Sequence, residues 1–251
     1  TQIARAEGLQ SKFDDAGATL ARVLAVGGAL SPRAGIRYEL EKGRLLNSSG
    51  DAEKSRAHFE RALALAEQSG EEFFAIDAAH MMGIVAPPDA QLDWNERALA
   101  MAGASDNPVA RKWIGSLYNN IGYTYMEQGE YELALVNFRK LQEFCAETGN
   151  ESFGAVARWF TGKTYRLQGK TEKALAVQQE LLAAEEEAGA AGAFTLEEIA
   201  ECHLALGGEE QARRYFLLTH EALHGDEQYK WVLDSDKERV ARIRELAGLP
   251  D

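Results

Sequence analysis

The chain has 251 residues, 40 of them acidic and 27 basic, for a formal net charge of −13. Such a field favours solubility and neutral or basic partners, and it weighs against DNA, RNA or anionic membrane as the main target. A salt-rich habitat would leave the same acidic excess, and composition keeps both causes open.

Helix-tolerant Ala, Leu, Glu, Gln, Lys and Arg dominate, and there are only five prolines. In chain order, Ala4, Ala16, Leu20 and Val23 fit a helix pair whose first member lacks its opening turns, and Gly27-Gly28 marks the connection that follows. Ser31-Pro32 reads as a cap and first helical position, opening a segment with Gly43, Leu46, Ser55 and Phe59. After Ser48-Ser49-Gly50, the spacing continues through Ala79, Met82 and Ala98, although Gln91 and Asn95 stand where a small residue and an aromatic are expected. Pro87-Pro88 and Asp106-Asn107-Pro108 mark further boundaries. The clearest segment runs from Leu117 to Leu141, with Tyr118, Ile121, Gly122, Tyr125, Gly129, Ala134 and Phe138 on a grid suited to two short helices packed back to back. Gly162, Tyr165, Leu167, Gly169, Ala174 and Leu181 recover that grid, and Ala200, Leu204, Ala212 and Phe216 extend it beyond the next connection.

The small residues at 4, 43, 79, 122, 162 and 200 recur every 36–43 residues, a period that points to a helical solenoid. Gly122 and Gly162, with Ala134 and Ala174 on the second helices, are expected where one helix approaches another, since packed helix axes are only ~8–10 Å apart. Gly129 and Gly169 instead suit the left-handed backbone that ends a first helix. Gln228 to Leu246 starts no further pair. Trp231, Val232, Val240, Ile243 and Leu246 predict one amphipathic helix, interrupted or restarted near Asp234-Ser235-Asp236, that covers the exposed apolar side of the last repeat. Lys230, Lys237, Arg239, Arg242 and Arg244 take its polar side, and the acidic remainder of the chain argues against their binding nucleic acid.

Gly122, Tyr125, Ala134 and Phe138 stand at the small, aromatic, alanine and aromatic positions of a known repeat, and the segment resembles the tetratricopeptide repeat family. The resemblance covers most of Ile3 to Leu223. It implies an all-α fold, a right-handed α-solenoid of antiparallel helix pairs with a C-terminal capping helix. It also implies one superhelical domain over 1–251, with repeats near 1–31, 32–70, 71–103, 108–150, 151–189 and 193–225 and a terminal helix at 228–248. Repeat packing is expected at Gly43, Ala79, Gly122, Tyr125, Ala134, Phe138, Gly162, Tyr165, Ala174, Ala200, Ala212 and Phe216. Met81, Met82 and Met101 read as soft filler rather than a cofactor box.

In this family the first helix of each pair lines a concave face. The resemblance therefore places Asn119, Asn120, Tyr123 and Glu127 beside Trp159, Phe160, Lys163 and Arg166 as a peptide-binding surface. Asn120 would bond a peptide backbone, Trp159 and Phe160 would hold an apolar side chain, and Lys163 and Arg166 would meet a carboxylate. The competing reading of the two aromatics is repeat packing. The family's chaperone-tail clamp is incomplete here, because Ile76, His80, Val156 and Phe160 replace its lysines, first asparagine and arginine.

One catalytic pattern requires weighing. His220-Glu221-Ala222-Leu223-His224 has the HExxH form, which puts two imidazoles on one side of a helix with a carboxylate nearby. Catalytic zinc needs a third protein ligand, for which Glu238 or Glu245 could serve, but the extended motif is absent and Gly225-Asp226 ends the helix. The pattern reads as accidental, with a zinc metallopeptidase as the remote alternative. His58, His80 and His203 are isolated in sequence, and Glu185-Glu186-Glu187 reads as a solvated helix end.

Cys145 and Cys202, the only cysteines, read as free thiols in a reducing, cytoplasmic compartment. No apolar stretch is long enough to span a bilayer, and no signal peptide is visible. The start at Thr1, already inside a repeat, suits a piece of a longer protein. The expectation is a non-enzymatic protein- or peptide-binding scaffold without cofactor, with neither nucleic acid nor direct membrane insertion. A structural solenoid that self-associates through its ends is the alternative.

Overall fold

The computed structural model describes residues 1–25, 30–189 and 191–250. The Gly27-Gly28 connection lies outside them. Among the described residues the regular structure is helical throughout, without a strand. Packing groups the chain into two compact units, Thr1–Ile121 and Gly122–Asp251.

In the first unit, α1 (Gln2–Leu9) pairs with α2 (Phe13–Ala25), α3 (Pro32–Ser48) with α4 (Ala52–Gln68), and α5 (Glu72–Val85) with α6 (Pro88–Ala104). Proline opens three helices of the unit, where its missing N–H would have no partner anyway. Ser31 Oγ accepts the Ala34 amide at 3.4 Å, and Asp51 Oδ1 accepts that of Lys54 at 3.2 Å. The third pair, whose sequence pattern was degraded, is as complete as its neighbours. Ala79 is buried, and Asn95 takes the buried place of the missing aromatic. The helix expected after Pro108 is broken: Asn107 caps α7 (Pro108–Arg111), and the chain restarts as α8 (Trp113–Glu127), in whose sequence the first unit ends and the second begins.

The second unit continues with α9 (Tyr131–Thr148), α10 (Glu151–Leu167), α11 (Thr171–Glu187), α12 (Ala193–Ala205) and α13 (Glu209–Gly225). Gly129 and Gly169 have φ of 78° and 76°, a left-handed backbone that turns the chain at the ends of α8 and α10. Ala134, Phe138, Ala174, Ala200, Ala212 and Phe216 are buried, whereas Tyr125 and Tyr165 are only half-buried. A Cβ at Gly43 would lie 2.5 Å from the Phe59 ring, and one at Gly122 would lie 2.7 Å from that of Phe138. At Gly162 the occupant of the same space is the Gln178 amide.

The terminal helix expected at 228–248 is three pieces: a single 3-10 turn at Glu227–Tyr229, then α14 (Lys230–Ser235) and α15 (Lys237–Leu246). Asp236 ends α14 and caps α15 by accepting the Arg239 amide at 3.3 Å, so a capping residue rather than continuous helix shapes the segment. Val232, Ile243 and Ala247 join Phe216 and Leu223 in one buried cluster. Burying side chains such as those of Val232 and Ile243 stabilises by ~1.5–3 kcal/mol each, which holds the segment on α13 despite its short helices.

Candidate functional site

The site grows out of α10. Asn150 Oδ1 starts the helix by accepting the Phe153 amide at 3.3 Å. Ala157, Gly162 and Thr164 turn into the packed side. Val156, Trp159, Phe160 and Lys163 share another face by their three- and four-residue spacing. Trp159 is fixed there, since its Nε1–H donates to the Phe194 carbonyl at 3.0 Å and its ring meets Phe160 edge to face at 4.9 Å. Phe160 stacks on Phe138 at 5.1 Å and takes the edge of Tyr123 at 5.9 Å. Lys163 Nζ sits 5.1 Å from the centre of the Trp159 ring, a cation–π contact.

These residues open onto a cavity of about 480 Å³, whose other wall brings Phe194 and Thr195 from α12 together with Tyr229 and Arg239 from the C-terminal segment. Phe194 is held between the Tyr229 ring at 5.5 Å and the Arg239 guanidinium at 4.9 Å. The Tyr229 hydroxyl accepts the Ala193 amide at 3.1 Å. Glu185 lies at the rim, not in solvent as its acidic run suggested, because its two oxygens accept from the Gly192 amide and the Thr195 hydroxyl at 2.9 Å each. Trp231, 59% exposed, continues the aromatic row beyond Phe194 at 6.2 Å.

Trp159, Phe160 and Lys163 thus line one cleft, while other residues of the expected surface do different things. Tyr123 is 45% exposed, with its phenol pKa pushed up by burial and by Glu127, which is itself exposed. Arg166 does not wait for a ligand carboxylate: it clamps Glu198 through Nε and Nη2 at 2.8 and 2.9 Å. Burial opposes its charge, but hydrogen bonding to and attraction by Glu198 outweigh that and raise its pKa. Asn119 and Asn120 belong to the first unit. Asn120 Nδ2 lies 3.2 Å from His80 Nδ1, and the Asn119 Oδ1 is buried without a hydrogen bond to a described residue.

His80 packs 4.9 Å from Trp113, and burial holds its pKa down despite Asp77 nearby, whose carboxylate is paired with Arg44. His58 Nδ1 meets Glu39 at 2.7 Å, and His203 stacks on Tyr215 at 5.5 Å. His220 and His224 stack on each other at 4.1 Å, with His224 Nδ1 turned to the His220 carbonyl at 2.9 Å. Burial, His224 and Arg244 lower the His220 pKa. Among the described residues no three His, Cys, Asp or Glu side chains gather as a metal-binding set.

Phe194 was within reach of sequence reasoning. The groove register that selects Trp159 and Phe160 also selects the second position of the following repeat, which is Phe194. Tyr229 and Arg239 carry no such signal, since they lie outside the repeats. Two cations of the C-terminal segment are likewise committed: Arg239 holds Glu197 through Nε at 2.9 and 3.0 Å, and Arg242 pairs with Glu201.

Stacked antiparallel helix pairs with small residues at their contacts define an all-α solenoid. Residues 40–69 and 113–187 match models of the tetratricopeptide repeat. The chain is a helical solenoid that carries tetratricopeptide repeats over these two stretches. Comparison with curated proteins gave no match. Among solved structures, the chain is similar to the signal-transduction ATPase PH0952 of Pyrococcus horikoshii, described as having a tetratricopeptide repeat sensor, with TM-score 0.71, 14% identity, and 96% of this chain and 37% of that one covered. It is also similar to BtubC of P. vanneervenii, with TM-score 0.68, 14% identity and coverage of 97% and 94%. A third likeness is to the quorum sensor NprR of B. thuringiensis in its apo form, with TM-score 0.67, 17% identity and coverage of 97% and 68%. NprR solved in complex with its cognate peptide NprX is similar at TM-score 0.63, 15% identity and coverage of 97% and 70%. Among the described residues no helix is long and apolar enough to cross a membrane.

Proposed function

We propose that the chain is a non-enzymatic scaffold that binds a protein or peptide segment in the cleft of its second unit. The observation that carries this reading is a cavity of about 480 Å³ walled by aromatics whose positions are already fixed by their own contacts. That volume lies within the ~300–1,000 Å³ of ordinary ligand pockets, and walls ordered before binding lower the entropy cost of association. The likeness to a fold solved with a bound peptide supports the same reading. The acidic balance favours a protein partner over nucleic acid, and the buried thiols suit a reducing compartment such as the cytoplasm.

Selection of peptides from a random display library on the purified chain, followed by titration against the Trp159→Ala, Lys163→Ala double variant, tests the cleft. Affinity should be lost in the double variant. Unchanged affinity would remove the cleft from consideration.

Self-association has its own observation: Ile3 and Leu9 on α1 are 66% and 71% exposed, an apolar presentation that a second copy could cover. Sedimentation of the chain against an Ile3→Ser, Leu9→Ser variant tests it, and a concentration-independent monomer would set it aside.

A further inference from the structure

Among the described residues, the cleft holds one uncommitted cation in an acidic chain. In a molecule of net charge −13, the cavity is lined by Lys163 and Arg239 against one carboxylate, Glu185. That carboxylate is turned to the backbone and hydroxyl donors of the connection into α12. Arg239 is occupied by Glu197, but Lys163 forms no ion pair with a described residue, and its ammonium is steadied only by the ring of Trp159. The two cations lie over Trp159 and Phe194, so those aromatics are already engaged by positive charge. A cationic ligand would meet repulsion where an aromatic cage would otherwise attract it. What remains for an occupant is apolar wall, from Val156, Phe160, Phe194 and Tyr229, beside one ammonium able to donate to an anion.

We propose that the cleft selects a peptide segment in which a large apolar side chain is followed or preceded directly by aspartate or glutamate. The apolar side chain fills the cavity between α10 and Phe194, and the neighbouring carboxylate accepts a charge-assisted hydrogen bond from Lys163 Nζ. Tyr229 makes the C-terminal segment part of the recognition wall as well as a cover for the last repeat. This inference rests on the peptide-binding reading and narrows it to one ligand chemistry.

The test uses the full chain on an array of acetylated, C-terminally amidated octapeptides. Each carries Trp, Phe, Leu or Ala next to Asp, Asn or Lys in a Ser-Ala background. Spots pairing a large apolar residue with Asp should bind about fivefold or more above their Asn counterparts, as expected for an added charge-assisted contact. Spots with Ala as the apolar partner should stay at background. Lys163→Gln, at a half-buried surface position that tolerates a neutral side chain, should bring Asp and Asn spots together while retaining the helical circular dichroism of the parent. Lys163→Glu should move the preference to Lys spots. Equal binding of Asp and Asn spots by the parent chain, or an acid preference that survives Lys163→Gln, overturns the inference and leaves peptide binding standing. Binding to no spot of any composition, together with failure of the display selection, removes the peptide-binding reading and this inference with it.

Discussion

Phe138 occupies the space that a side chain at Gly122 would need, with its Cε1 2.7 Å from where that Cβ would be. The ring cannot retreat freely, because it is also stacked on Phe160 at 5.1 Å. Gly122→Ala is therefore expected to destabilise the second unit by ~1–3 kcal/mol through overpacking, even though alanine favours helix more than glycine does. Urea denaturation followed by circular dichroism checks the sign. A stabilised variant would show that the contact yields without cost.

A second expectation concerns pH. Burial depresses the pKa of His80 in the folded chain, so the unfolded chain binds its proton more readily. The stability associated with neutral His80 is fully present above the unfolded value of about 6.5 and is lost as pH falls from there toward the lower folded value. Denaturation midpoints measured from about pH 7.5 down to 5 should fall in the parent and fall less steeply in His80→Gln. Parallel curves for the two proteins would contradict the assignment.

The thiols give a third. Cys202 is fully buried, and burial, reinforced by Glu198, pushes its pKa up to about 12. Cys145 is buried as well, and burial raises its thiol pKa. A thiol reagent needs both thiolate and access, so neither cysteine should react at about pH 8 in the native protein, and both should react in denaturant. Fast labelling of one equivalent under native conditions would place a cysteine at the surface.

A fourth concerns the C-terminal segment. Arg239 joins Glu197 of α12 to α15 and covers Phe194, while Glu197 is buried beneath it. Arg239→Ala leaves that carboxylate without its cation, at a cost of roughly 2–4 kcal/mol, less than for a deeply buried pair because Arg239 is part-exposed. Hydrogen exchange of residues 227–247 should accelerate while α9 amides keep their protection. Equal protection across both regions would show that the ion pair does not hold the segment.

The repeat architecture was legible in the sequence where one residue type answers one geometric demand. Glycines at 43, 122 and 162 mark close helix contacts, and Gly129 and Gly169 mark turns, because no other residue serves as well. Prolines at 32, 88 and 108 mark helix starts for the same reason. The cleft was only half legible. Trp159, Phe160 and Lys163 follow from repeat register, but whether a groove cation is free depends on partners far away in sequence: Arg166 is taken by Glu198, and Lys163 is left. Glu185 shows the same limit, since a triplet of glutamates says nothing about a turn that folds back to donate to one of them.

At the place held by Phe59, Phe138 and Phe216 in their own helix pairs, the third and fifth pairs carry Asn95 and Gln178, both buried. Asn95 donates to the Gln91 carbonyl, and Gln178 reaches across to the Trp159 carbonyl. A phenylalanine knob fits any glycine-lined hollow of the right width, whereas Gln178 docked elsewhere would leave behind the α10 carbonyl it reaches; the Asn95 bond stays within α6. Gln178 is thus a key cut differently from the phenylalanines. A helix that carries such a cross-helix bond fits its own partner better than a neighbour's, which works against misdocking among tandem units.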